Sequence, residues 1–182
     1  MTQKPGVLIG IRTADCVPIL VYDPEQRAVG AIHAGWRGLI AGIIENSIGT
    51  MREKFLTNPK NLAVVVGAAL CPGCFEIGPE VAEAFRKRFG DRLEPVSDPS
   101  KAESVTGSCA RRALTITAGR GDRSFVDLRK GCELALADSG LSEKNLEFLP
   151  YCTACHRELF YSHRKGDTDK RQMAFIGVKS NF

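Results

Sequence analysis

His33 closes the apolar run Ala28-Val-Gly-Ala-Ile-His33, and glycines at positions 35 and 38 follow before a helical pattern begins. Strand ends of this kind open onto the crevice beyond the carboxyl edge of an α/β sheet, where side chains meet ligands. Trp36, the only tryptophan, and Arg37, whose guanidinium forks onto phosphate or carboxylate, come next. The same residues would also serve as a core histidine, a core anchor and a surface charge. A second chemistry comes from cysteine. Cys71-Pro-Gly-Cys74 and Cys152-Thr-Ala-Cys155 both have the spacing with which two thiolates chelate one soft metal or form a redox pair, and His156 adjoins the second. Two such pairs suggest a four-thiolate structural zinc. They stand nearly half the chain apart, however, against the roughly fifteen to twenty residues usual between such pairs. The alternative places His33 with one of Cys71 and Cys74 at neighbouring strand ends, which serves metal ligation or Cys–His nucleophilic chemistry.

Asp15 and Cys16 interrupt two apolar runs and read either as site groups or as a turn-capping carboxylate beside a buried thiol. Arg12, Arg37 and Arg164 adjoin predicted strand ends or turns and are candidates to grip phosphate. No glycine-rich phosphate loop, nucleotide fingerprint or serine-nucleophile elbow is present, so side chains would have to hold it.

These groups need a scaffold, and hydrophobic patterning supplies one. Apolar β-type runs predict strands at Gly6 to Arg12, Val17 to Tyr22 and Ala28 to His33, in a meander or a mixed sheet, with Pro18 at a strand start or edge. Leu39, Ile40, Ile43, Ile44, Ile48 and Met51 recur at three- and four-residue spacing, which predicts one helix from Trp36 to about Phe55. Further strands are expected at Leu62 to Gly67, Ser124 to Leu128, Leu146 to Tyr151 and Met173 to Val178. A short helix begins near Pro79, and another runs from Leu128 to Ser139 with Gly140 as its stop. Residues 90 to 124 read as a long excursion with one short strand, Ala113 to Thr117.

The 182 residues suit a single domain, and 25 Lys plus Arg against 21 Asp plus Glu give a net charge of only +4. Short basic clusters such as Arg86 to Arg88 and Arg111-Arg112 suit an anionic small molecule or a solvated face, not a nucleic-acid groove, which needs a stripe of cations with aromatics. Seven cysteines without a signal peptide point to a reducing cytoplasm. No apolar stretch approaches the roughly 20 residues that span a bilayer.

Five ordered stretches carry a resemblance. Arg12-Thr-Ala-Asp-Cys16, His33-Ala-Gly-Trp-Arg-Gly38, the Gly67 to Gly78 segment ending Cys74-Phe-Glu-Ile-Gly, Phe125-Val-Asp-Leu128, and Cys152-Thr with Phe160-Tyr-Ser-His-Arg164 resemble the bacterial laccase-domain family. That family is also called polyphenol oxidase, peptidoglycan editing factor or purine nucleoside phosphorylase family. The resemblance implies an α/β (α+β) fold, an α-β-β-α sandwich of mixed sheets like the cytotoxic necrotizing factor catalytic domain. It implies phosphorolysis of adenosine or inosine, with adenosine deamination and methylthioadenosine cleavage as companion activities. It also implies zinc, or less favourably copper, held by two histidines and a cysteine.

On this basis His33, Cys74 and Asp15 are the catalytic candidates, and Arg12, Arg37, His163 and Arg164 the substrate-binding ones. His33, Cys71 and Cys74 are the expected metal ligands. The expected partners are a purine nucleoside and phosphate, with no nucleic acid and no membrane, and the chain is expected to be a monomer or homodimer. Two departures stand out: Gly73 replaces the first of the family's adjacent cysteines, and no histidine lies between His33 and His156. The usual triad is thus incomplete unless Cys71, a carboxylate or water completes it. The chain also reads as one domain lacking the N-terminal part of the family fold. Rival readings are a catalytically impaired binding or structural paralogue, a peptidoglycan-precursor editing hydrolase, and a copper oxidase, for which three histidines are too few.

Overall fold

The computed structural model describes residues 1–92, 116–119 and 121–180. Most of the expected excursion, with Arg111-Arg112 and the first part of the strand expected at Ala113 to Thr117, lies outside the described residues. At the heart of the fold is β2 (Val17–Asp23), whose alternate residues Val17, Ile19 and Val21 are fully buried while Tyr22 is exposed, the period-two signature of a pleated strand. β3 (Ala28–Ala34) and β4 (Ala63–Val66) flank it antiparallel, and β8 (Leu146–Phe148) adds to β4 in parallel, giving the mixed order β3-β2-β4-β8. Pro18 accordingly marks a strand start and not an edge, because β2 has a neighbour on each side.

Helices cover one face of this sheet. The single helix expected over Trp36 to Phe55 is two, α1 (Trp36–Ile40) and α2 (Ile43–Phe55), because Gly42 turns left-handed at φ +77° between them. Glycine takes that conformation without the Cβ clash that penalises other residues. α2 buries Ile44, Ile48 and Met51, one helical stripe, and Met51 packs against Gly30 of β3. α3 (Pro79–Phe89) opens on proline and buries Val81, Ala82, Phe85 and Phe89. α4 (Leu128–Asp138) is capped by Asp127, whose carboxylate accepts from the N–H groups of Arg129 and Lys130 at 2.9 and 3.1 Å.

β1 (Leu8–Thr13) does not continue a meander into β2. It pairs antiparallel with β9 (Gln172–Gly177), from Leu8 opposite Gly177 to Thr13 opposite Gln172, so a ribbon joins the two ends of the described chain. A third sheet has the order β5 (Glu76–Ile77), β7 (Ser124–Val126), β6 (Ile116–Ala118). The chain forms the mixed α/β class with mixed sheets that the sequence leads one to expect. Among the described residues no helix is long and apolar enough to cross a membrane.

The β4–β8 pairing brings two distant loops together. Because these strands run parallel, the chain leaves both at the same edge and continues in register: Leu149 N–H donates to Val66 O at 2.9 Å, Ala69 bridges Cys152, and Thr153 N–H donates to Ala69 O at 3.2 Å. The close approach of the β2 and β4 ends needs Gly67, where a Cβ would lie 2.7 Å from Pro18 Cγ.

Candidate metal centre and active site

Beyond β4 the chain turns through Pro72–Cys74, a single tight turn in which Cys74 and Phe75 N–H both donate to Cys71 O. Beyond β8 it turns again, with His156 N–H donating to Cys152 O at 2.9 Å. Each turn curls a C-x-x-C pair so that both sulfurs point the same way, and the parallel strands bring the turns face to face. The four sulfurs of Cys71, Cys74, Cys152 and Cys155 lie within 4.8 Å of one another. Cys71 Sγ is 4.0 Å and Cys74 Sγ 3.5 Å from Cys155 Sγ, distances well beyond the roughly 2.05 Å of a disulfide. Cys71 and Cys152 are fully buried, Cys74 is half-buried and Cys155 is exposed.

The cluster polarises itself. Hydrogen bonding from Cys71, and then from Cys74, holds the Cys152 thiol far below its ordinary range, and Cys71 N–H adds a backbone bond to Cys152 Sγ at 3.2 Å. The same contact raises its partners: bonding to Cys152 drives Cys71 far up and pushes Cys74 to about 12.

Of the expected ligands His33, Cys71 and Cys74, the two cysteines lie in this cluster and His33 does not. His33 is exposed on β3 opposite Pro18, and the order β3-β2-β4 puts two strand spacings, about 10 Å, between its strand and that leading to Cys71. Among the described residues the four cysteines are the only group of three or more such ligands, and His33 is not in it. Cys74, offered as a catalytic thiol, lies within the cluster. His156 lies outside the group, its Nδ1 turned to the backbone of Cys152 and its ring edge-on to Tyr151 at 5.3 Å.

Asp15 occupies the turn between β1 and β2 with φ +88° and is buried. Its Oδ1 accepts the Thr153 hydroxyl at 2.7 Å, its Oδ2 accepts Arg164 N–H at 2.6 Å, and its carbonyl accepts Leu70 N–H at 3.2 Å. A carboxylate so occupied organises its surroundings. Leu70 and Thr153 immediately adjoin Cys71 and Cys152, so Asp15 touches both turns of the cluster. Burial, then the Asp15 charge, pushes the half-buried Cys16 thiol up against a smaller opposing effect of Arg171.

The candidate substrate-binding cations are all exposed. Arg12 lies near the end of β1, and Arg164 donates from Nη2 to Glu76 O at 2.9 Å while its guanidinium lies 5.9 Å from the Phe75 ring centre. Arg37 stacks on Trp36 with its guanidinium carbon 4.3 Å from the ring centre, and His163 is exposed beside Arg164. Sequence reasoning does not find Thr153 as a partner of Asp15, for 138 residues separate them.

Comparison with known proteins places these features in a lineage. The model of the family described as multi-copper polyphenol oxidoreductase laccase matches residues 1–179. A purine nucleoside phosphorylase of Bacteroides thetaiotaomicron is 30% identical over 180 residues, covering 99% of this chain and 56% of that protein. A protein named adenosine deaminase RL5, from an unknown prokaryotic organism, is 29% identical over 165 residues, covering 91% of this chain and 55% of its own length. The crystal structure of YlmD from Geobacillus stearothermophilus superposes with a TM-score of 0.79 at 28% identity, covering 98% of this chain and 59% of that one. The chain thus spans little more than half the length of these relatives.

Proposed function

The chain belongs to the multi-copper polyphenol oxidoreductase laccase family, and we propose that it acts there as a purine nucleoside phosphorylase, converting adenosine or inosine and phosphate to free base and ribose 1-phosphate. The observation that carries this reading is an exposed imidazole, His33, on the same sheet edge as the Asp15 turn with its exposed arginines, in a chain matched over 99% of its length to a named phosphorylase. Phosphorolysis asks for an anion grip and a proton donor. A phosphate oxygen attacks C1′ of the ribose, the C1′–N9 bond breaks, and the purine leaves with the bonding pair and takes up a proton.

Arg12 and Arg164 hold the phosphate and neutralise its charge, which is the dominant electrostatic demand of the step. Arg164 is pre-set for this by its own N–H to Asp15 and its Nη2 bond to Glu76. His33 donates the proton to the departing base, a role worth roughly 10²- to 10⁴-fold for a positioned acid. Arg37 and His163 contact the nucleoside. Asp15, a catalytic candidate by sequence, is a positioning residue in this scheme. No step runs through a metal at His33.

The test is purified protein with inosine or adenosine, with and without phosphate, followed by measurement of ribose 1-phosphate and free base. Product that requires phosphate, and that falls about 10²-fold or more in His33→Ala with the fold intact, supports the proposal. Base release without phosphate points to hydrolysis instead. Ammonia release from adenosine would reveal the deaminase activity in the same samples. No turnover from folded protein would favour the impaired paralogue.

A further inference from the structure

We propose that Cys71, Cys74, Cys152 and Cys155 bind one zinc ion as a closed tetrathiolate centre, which staples the exits of β4 and β8 together and takes no part in the reaction. Four zinc–sulfur bonds of about 2.3 Å in a tetrahedron set the sulfurs about 3.8 Å apart. The separations of 3.5 and 4.0 Å bracket that value, and no pair exceeds 4.8 Å. An iron–sulfur cluster does not fit the same set. In it the thiolates bind different irons and spread beyond the span of a single ion, whereas these sulfurs converge on one point.

Tetrahedral four-sulfur geometry is that of zinc or of mononuclear iron, and four donors leave no open position for water or substrate. The Cys71 N–H bond to Cys152 Sγ is the outer-shell contact that orients a thiolate ligand. On binding, the ion replaces the thiol protons, which pass to solvent.

The staple bears on the reacting edge without joining it. Leu70, next to Cys71, and Thr153, next to Cys152, both donate to Asp15, and Asp15 in turn accepts from Arg164. Fixing the two cysteine turns therefore fixes the Asp15 turn and the start of Arg164. The metal implied by the family resemblance is tied to histidine; the tetrathiolate centre is a different set of donors.

Metal content of the untagged protein, purified without chelator in the presence of reductant, tests this. One zinc per chain is expected in the wild type and in His33→Ala. Cys155→Ser, which alters an exposed position and spares the packing, should weaken zinc binding by more than the roughly 10-fold that loss of even an outer partner costs. Cys155→His should restore zinc, because imidazole can take the same corner. Cobalt substituted for zinc should give the intense sulfur-to-metal absorption of a tetrathiolate. Zinc-free wild type, a Cys74–Cys155 disulfide in its place, iron as the bound metal, zinc lost in His33→Ala, or zinc held undiminished by Cys155→Ser would each overturn the proposal. None of these readouts requires phosphorolysis, so the metal centre and the proposed activity stand or fall separately.

Discussion

Asp15 carries more of the structure than its place in the sequence suggests. Next to a cysteine and near an arginine it reads as an acid–base group, and its real partners, Thr153 and Arg164, lie 138 and 149 residues away. Sequence shows which groups could do chemistry but not which of them are already engaged. An aspartate also tolerates the left-handed backbone at φ +88° better than most residues. Asp15→Ala should therefore destabilise the protein by about 2–4 kcal/mol, summing an unsatisfied buried hydroxyl and N–H with a conformational penalty. Denaturant unfolding measures this, and a loss below about 0.5 kcal/mol, the range of an ordinary surface substitution, would show that the network does not hold the turn. His33→Ala, by contrast, removes an exposed side chain and should leave unfolding nearly unchanged while reducing turnover.

At the level of elements, most strands and helices are legible from periodicity alone, because each buries one face: Val17, Ile19 and Val21 on β2, and Ile44, Ile48 and Met51 on α2. What periodicity misses is pairing. β1 lies just before β2 in the chain yet pairs with β9, and the break at Gly42 is invisible in a hydrophobic stripe that continues across it. Pairing also explains why the two C-x-x-C motifs do not read as one site. Their 81-residue separation argues against a shared ion only if sequence distance follows spatial distance, and the parallel β4–β8 pairing breaks that relation here. The junction depends on Gly67, so Gly67→Ala, whose Cβ would meet Pro18 Cγ at 2.7 Å, should cost about 1–3 kcal/mol by overpacking. Gly49→Ala, in open space within α2, is the control and should be neutral or slightly stabilising.

Across the whole molecule, one edge of the four-stranded sheet serves two ends. Toward β3 it presents His33; toward β4 and β8 it presents four convergent thiols, and the Asp15 turn at the mouth of β2 lies between them and is bonded to the latter. The five ordered motifs of the sequence meet the family correctly, but they do not show that Cys152 and Cys155 stand beside Cys71 and Cys74, because a motif fixes residue types and not which strand stands next to which. Where the metal is held decides whether the two ends are separate. X-ray absorption at the zinc edge of the wild-type protein reads the coordination directly: it should show four sulfurs at about 2.3 Å and no nitrogen, whereas a nitrogen shell at about 2.0–2.1 Å, the mark of a histidine ligand, would contradict the separation of the metal from the His33 edge.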